Sequence, residues 1–224
     1  MSTHLLLVAG GIGNRMGSSV PKQFIELDGK PIFCHTLDRF INSVPEISVT
    51  IAIHPEWKEV MSNTLNIFYP KHEFILIEGG ETRYHSVKNG LEHLNSDGND
   101  IVLIHDAARP FVSKETIERC LAGVEKNGNA VPVLALKESI RILLEKKSVA
   151  TERKNFVSVQ TPQCFRLREI KNAFLQNYQE KFTDDASVFE EAGHMIHLVE
   201  GNEENIKITT PADLPYAEFL LKRK

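Results

Sequence analysis

Apolar residues along this chain fall into two spacings. Leu5 to Ala9 is a short unbroken apolar run ending in Gly10-Gly11, the pattern of a buried strand that runs into a loop. Pro31 to Phe40 places Ile32, Leu37 and Phe40 at helical spacing, and a β-branched run from Val49 to Ile53 follows. Phe74 to Ile77 predicts another strand. Ser86 to Leu94 predicts a helix through Val87, Leu91 and Leu94, and Ile101 to Ile104 a buried strand that stops at His105-Asp106. Val131 to Leu136 continues the alternation. Short apolar strands separated by helices imply crossover connections, hence an α/β fold with a mainly parallel sheet flanked by helices on both faces.

The stretch 137–158 breaks this rhythm. It is rich in charges and short β-like pieces and lacks the spacing of a core helix. Its length suits either a mobile surface loop or an arm projecting from the sheet towards a second subunit. Beyond it, Asn205 to Thr209 alternates as a strand would. Thr210-Pro211-Ala212-Asp213 then opens a helix, with Thr as cap, Pro in the first turn and an acid three residues after the cap. Tyr216, Phe219 and Leu220 are expected to form its apolar face.

Composition narrows the function. The 224 residues are 42% hydrophobic and 25% charged, an ordinary globular balance that suits one domain over 1–224. The formal net charge of −4 without a long basic run argues against a nucleic-acid partner, yet leaves room for a small phosphorylated ligand. Cys34, Cys120 and Cys164 are far apart and odd in number, so free thiols in a reducing compartment are expected. No apolar run approaches a membrane span and no cationic leader precedes Leu5, so the expected location is cytoplasmic, away from any membrane.

Candidate chemistry gathers in two places. In the first, Ala9-Gly10-Gly11-Ile12-Gly13-Asn14-Arg15-Met16 is followed by Pro21-Lys22-Gln23-Phe24. Three glycines after a strand let main-chain N–H groups approach a phosphate. Gly-Lys-Ser/Thr is missing and the dinucleotide spacing is wrong, so neither a P-loop nor a dinucleotide site is indicated. Arg15 and Lys22 add two full cations to this loop, suited to charge that develops during a reaction. The second place is His105-Asp106-Ala107-Ala108-Arg109-Pro110, at the carboxyl end of a predicted parallel strand, where open α/β sheets hold ligands. Asp106 could bind magnesium or ligand hydroxyls. Arg109 could orient a phosphate or brace the acid, and His105 is expected to pack behind them. The other histidines show no metal-ligand spacing.

These stretches resemble the 2-C-methyl-D-erythritol 4-phosphate cytidylyltransferases of non-mevalonate isoprenoid biosynthesis. The similarity continues through Gly79-Gly80-Glu81-Thr82-Arg83 with Ser86, Thr161-Pro162-Gln163, Thr183-Asp184-Asp185-Ala186-Ser187, and Glu200-Gly201 leading to Asn205-Ile206-Lys207. It implies a Rossmann-like nucleotidyltransferase (GT-A-like) fold and a homodimer whose β-arms, here 137–158, cross over. It also implies transfer of CMP from CTP to the acceptor's phosphate, with Mg2+. Carried onto matching positions, Arg15 and Lys22 would stabilise the transition state at the α-phosphate. Lys207, and Arg153 from the partner's arm, would hold the acceptor phosphate. Ala9, Gly10, Gly11, Gly80, Glu81, Ser86 and Ala107 would line the CTP site. Asp106, Arg109, Ser139, Thr161 and Thr183 would face the sugar-alcohol phosphate, with Asp106 also at the metal.

Two departures bear on the acceptor. Ala9-Gly10-Gly11 stands where many members have Ala-Ala-Gly, and Glu138-Ser139 where they have Asp-Thr. The double glycine is shared with related ribitol 5-phosphate cytidylyltransferases, whereas Ala107-Ala108 and the stretch from Glu200 to Lys207 resemble the isoprenoid enzymes. A polyol phosphate such as ribitol 5-phosphate is therefore the alternative acceptor. A nucleotide-binding module without turnover is the alternative class, and it would be expected to lack one of Arg15, Lys22, Asp106 or Lys207.

Overall fold

A computed structural model describes residues 1–11, 20–95 and 99–223. The first half runs β1 (Thr3–Ala9), β2 (Glu26–Leu27), β3 (Lys30–Pro31), α1 (Ile32–Ser43), β4 (Ser48–Ile53), α2 (Lys58–Phe68), β5 (Phe74–Glu78), α3 (Arg83–His93) and β6 (Ile101–Asp106). The second half runs α4 (Lys114–Asn127), β7 (Asn129–Ala135), β8 (Arg141–Leu144), β9 (Lys147–Ala150), β10 (Val157–Val159), β11 (Gln163–Arg166), α5 (Leu167–Ala173), α6 (Asp185–Glu191), β12 (Leu198–Glu200) and α7 (Asp213–Lys222).

The main sheet has the order β10-β7-β11-β6-β1-β4-β5, with β12 beside β7. β6, β1, β4 and β5 pair in parallel, as crossover helices require. β11 enters antiparallel between β6 and β7. The central strands are mostly apolar, as in Leu5–Ala9 and Ile101–Ile104, because both faces are covered. Leu5 and Leu7 of β1 pack with α1, α2 and α4, whereas Leu6 packs with α3, α5 and α6 on the opposite face. Gly90 of α3 lies so close to β1 that a Cβ there would come within 2.3 Å of Leu6. A third cluster, including Leu27, Ile32, Ile208 and Leu220, seats α7 beside the small β2–β3 ladder.

The carboxyl-terminal segment departs from its pattern. Asn205 to Thr209 forms no strand; its buried residues, Asn205 and Ile208, are three apart and pack against the loop after β6, where Ile208 N–H donates to the Ala108 carbonyl at 2.9 Å. The following helix starts at Asp213 instead of just after Thr210, because the Asp213 carboxylate accepts from the Thr209 and Thr210 N–H groups at 2.8 Å each and holds them in a turn. Ala217 and Leu220 supply its buried face, while Tyr216 and Phe219 point outward.

The segment 137–158 contains a hairpin, β8–β9, and its last residues already belong to the sheet. β10 is zipped to β7, with Val157 opposite Ala135. Ile142, Leu143 and Leu144 of the hairpin are exposed, Leu143 by 84%.

Candidate active site

Parallel strands end together at one edge of the sheet, and there β1, β6 and the turn before α3 enclose a cleft of about 330 Å³. Its lining includes Ala9, Gly10, Gly11, Lys22, Gly80, Glu81, Ser86, Asp106, Ala107 and Lys207. The buried carboxamide of Gln23 donates to the Ala9 carbonyl at 2.6 Å and to that of Gly11 at 3.2 Å, tying the Lys22–Phe24 turn to the glycine loop. Lys22 is thereby held at the mouth of that loop. Arg15 and Gly13 lie outside the described residues.

The opposite wall is the start of α3. Thr82 caps the helix, its hydroxyl accepting from His85 N–H at 3.3 Å. The Ser86 hydroxyl donates to the Thr82 carbonyl and accepts from Gly80 N–H, each at 3.0 Å. A Cβ on Gly80 would sit 2.3 Å from that of His85 and 3.0 Å from its main chain, so only glycine fits this turn.

Between the two walls lies a cluster of charge. Asp106 Oδ1 receives Arg83 Nε at 3.2 Å, and its Oδ2 receives Lys207 Nζ at 2.8 Å and Arg109 Nε at 3.4 Å. Burial opposes ionisation of Asp106, but Arg83, Lys207 and Arg109 together hold its carboxyl well below the usual range. Arg83 also forks onto buried Asp185, Nη1 to Oδ1 at 2.8 Å and Nη2 to Oδ2 at 2.7 Å. Burial works against the Arg83 charge, yet Asp185 and Asp106 raise its pKa above the ordinary value. For Asp185 burial is the larger influence and raises the carboxyl, with Arg83 opposing it. Two short bidentate bonds keep this pair ionic. Three cations thus share two carboxylates, leaving a positive surplus that suits an anionic ligand.

A second chamber of about 280 Å³ opens on the other side of this cluster. It is lined by Arg83, Asp106 and Lys207, which it shares with the first cleft, and by Arg109, Thr161, Gln163, Thr183 and Asp184 among others. Arg109 braces the acid and also donates from Nη1 to the Asn205 carbonyl at 2.8 Å. The Thr161 hydroxyl is engaged within the protein, 3.0 Å from His105 Nδ1 and accepting from Asp106 N–H at 3.2 Å. His105 packs behind the site as expected, edge-on to the Phe40 ring at 4.7 Å, and burial pushes its pKa down to about 3.

Two expected residues are not brought into either chamber by their own chain. Ser139 is exposed just before the β8–β9 hairpin, and Arg153, in the turn before β10, donates to the Lys137 carbonyl. Conversely, Arg83, Asp185 and Gln23 received no individual role from the sequence. Arg83 and Asp185 are 102 residues apart, so no local pattern joins them. The available signals were a polar run directly after paired glycines and the tandem acids Asp184-Asp185, the first of which forms a capping box with Ser187.

The donor set limits how a metal would be held. Among the described residues no three His, Cys, Asp or Glu side chains converge. Among the described residues Asp106 Oδ1 has Arg83 as its ion-pair partner, and a carboxylate oxygen can accept a second contact. Magnesium takes one or two carboxylates and fills its remaining positions with phosphate and water oxygens, so the site fits that ion when a nucleotide supplies most ligands.

The family model described as IspD: 2-C-methyl-D-erythritol 4-phosphate cytidylyltransferase matches residues 3–223. The chain is 44% identical over 220 residues to the protein of that name from Bacteroides fragilis, covering 96% of this chain and 98% of the other. It is 41% identical over 225 residues to the one from Phocaeicola vulgatus, covering 99% and 100%. Among solved structures it is similar to the Francisella tularensis 2-C-methyl-D-erythritol 4-phosphate cytidylyltransferase, at 32% identity and TM-score 0.81 over 98% of this chain and 99% of that one. It is also similar to 4-diphosphocytidyl-2C-methyl-D-erythritol synthase from Anaerococcus prevotii, at 27% identity and TM-score 0.83, covering 99% and 96%.

Proposed function

The chain belongs to the 2-C-methyl-D-erythritol 4-phosphate cytidylyltransferase family, and from that premise we propose how its paired chambers carry out the transfer. The enzyme transfers CMP from CTP to 2-C-methyl-D-erythritol 4-phosphate. An oxygen of the acceptor phosphate forms a bond to the α-phosphorus of CTP as the bond to the β-phosphate oxygen breaks, and pyrophosphate leaves. The attacking group is already an anion, so no strong base is needed. The difficulty is repulsion between two anions and their alignment.

One observation carries the assignment of roles: the two chambers share a wall made of Arg83, Asp106 and Lys207. We assign the 330 Å³ cleft to CTP, with Ala9, Gly10, Gly11, Gly80, Glu81, Ser86 and Ala107 as its lining. The 280 Å³ chamber takes the acceptor, beside Arg109, Thr161 and Thr183. Lys22, together with Arg15, neutralises charge at the α-phosphate. Lys207, on the shared wall, holds the acceptor phosphate in line with it. Magnesium bound to Asp106 and the triphosphate would supply further charge neutralisation.

We read 1–224 as one nucleotidyltransferase domain with 137–158 as its arm. The exposed apolar residues of β8 and β9 support a homodimer in which Ser139 and Arg153 complete the partner's acceptor chamber. The cytoplasmic location rests on the three free thiols. Measuring pyrophosphate release with CTP and either 2-C-methyl-D-erythritol 4-phosphate or ribitol 5-phosphate tests the acceptor. Faster turnover of ribitol 5-phosphate would reverse the assignment.

A further inference from the structure

We propose that His105, which touches neither chamber, is a positioning residue that fixes the direction in which Asp106 and Arg109 leave the turn after β6. The inference deepens the assignment of that turn to the acceptor side and rests on it.

The main chain from Asp106 to Arg109 is tied down along its length. Arg109 N–H closes the turn onto the Asp106 carbonyl at 3.1 Å, and Ala107 N–H donates to the Val8 carbonyl at 3.0 Å. The Ala108 carbonyl accepts from Ile208 N–H, and that of Ala107 from the Thr36 hydroxyl at 2.8 Å. The Asp106 N–H and the Arg109 carbonyl lie at the two ends of the turn. His105 serves both.

Its Nε2 lies 3.1 Å from the Arg109 carbonyl. A carbonyl only accepts, so Nε2 carries the hydrogen. A neutral imidazole has one N–H, hence Nδ1 accepts, and its neighbour at 3.0 Å, the Thr161 hydroxyl, must donate. That hydroxyl oxygen is then the acceptor for Asp106 N–H at 3.2 Å. Asp106 N–H, Thr161, His105 and the Arg109 carbonyl form a chain with one consistent donor direction, and the ring at its centre is fully buried. The ring holds one end of the turn, the Arg109 carbonyl, directly, and the other, Asp106 N–H, through the Thr161 hydroxyl that it orients.

The side chains that leave this turn make the charge cluster. Arg109 and Asp106 meet at 3.4 Å, and Asp106 holds Lys207 at 2.8 Å. A turn free to shift would move the acceptor-side cations relative to the CTP cleft, whereas the cleft's other wall, at Gly80 and Ser86, hangs on α3 and is anchored independently. A histidine that served only as packing against Phe40 would lower stability when replaced and leave this geometry intact.

Two substitutions divide the ring's functions. His105→Gln keeps a donor near the Nε2 position and loses the acceptor, and His105→Asn keeps an acceptor near Nδ1 and loses the donor. Both are expected to lower kcat and to raise KM for the acceptor, with a combined loss of about tenfold to hundredfold. KM for CTP rises less, because this turn supplies only Asp106, Ala107 and Ala108 to the CTP cleft and Gly80 and Ser86 hold its other wall. Thr161→Val should show the same split, Thr161→Ser should recover at least about fivefold over it, and Thr161→Val combined with His105→Asn should be no worse than the poorer single variant. Nitrogen-15 NMR of the unmodified enzyme at neutral pH provides a reading that needs no variant. It should show an Nε2-protonated, neutral ring.

An Nδ1-protonated ring would overturn the proposal. So would folded His105 variants, judged by circular dichroism, whose kcat and acceptor KM match the parent or whose losses fall equally on both substrates. If the parent itself releases no pyrophosphate with any acceptor, the assigned reaction fails instead, and the tautomer measurement still decides the hydrogen-bond chain.

Discussion

Replacing Asp185 by Asn puts the buried ion pair to a quantitative test. Asn preserves the volume of the side chain, which is only 1% exposed, and keeps one oxygen for the Arg83 fork. The other oxygen becomes an amide N–H group facing a guanidinium N–H, so one charge-assisted bond is lost and the Arg83 charge loses its closest partner. Breaking a buried pair in this way costs about 3–5 kcal/mol. Arg83 retains Asp106 at 3.2 Å, which places the expected loss near the lower end of that range. A domain with about 5–15 kcal/mol of total stability would survive it. Urea unfolding followed by circular dichroism should therefore show a lower midpoint with an unchanged slope. Because Arg83 would then pull on Asp106 alone, pyrophosphate release should also slow by about tenfold. A loss below about 1 kcal/mol, the value of an exposed pair, with unchanged turnover would refute the reasoning.

Lys22→Ala should reduce turnover by at least about a hundredfold while CTP still binds, as expected on removing a preorganised charge stabiliser. The single tryptophan, Trp57, lies tilted against Phe24, which closely follows that lysine in the chain, with ring centroids 5.3 Å apart, and should report binding by fluorescence; near-normal turnover would remove Lys22 from the chemistry. Gly80→Ala should raise KM for CTP and lower stability together, since the new methyl meets His85 at 2.3 Å; unchanged KM would show that the turn yields without consequence. Acid should destabilise the enzyme through its buried histidines. His105, pushed down to about 3, stays neutral in the fold while the unfolded chain takes up a proton below its ordinary value near 6.5. Its contribution is complete above about pH 6.5 and is lost towards pH 3 at no more than about 1.4 kcal/mol per pH unit, with lowered His4 adding the same sign. A urea midpoint that rose between neutral pH and about pH 5.5 would contradict this.

The central strands and helices were legible in the sequence because period and burial coincide there. β1, β4 and β6 are apolar on both faces, and α1 and α3 carry one apolar stripe each. β11 was not legible: Gln163 to Arg166 is four residues long with polar ends, and its antiparallel place between β6 and β7 depends on contacts distant in sequence. α5 and α6 have seven residues each, too few to establish a period. α4 carries clearer boundary signals, the Ser113 cap and Gly128 in a left-handed turn, which mark its ends without a period. Asn205 to Thr209 shows the converse. The sequence alternates, but the burial falls on Asn205 and Ile208, three apart, because the segment packs against a loop without a partner strand. In the site, the glycine loop and Asp106 were visible as local motifs. The Arg83–Asp185 fork was not, because long-range ion pairs leave no spacing to read.

The ladder between β7 and β10 closes the arm at its root, Ala135 facing Val157. A change of length or sequence between those two rungs is expected to leave the register of β6, β1, β4 and β5 unaltered. The hairpin is thus joined to the sheet only through this ladder and its flanking segments. Grafting the hairpin of a distant relative between the same rungs should leave nucleotide binding untouched.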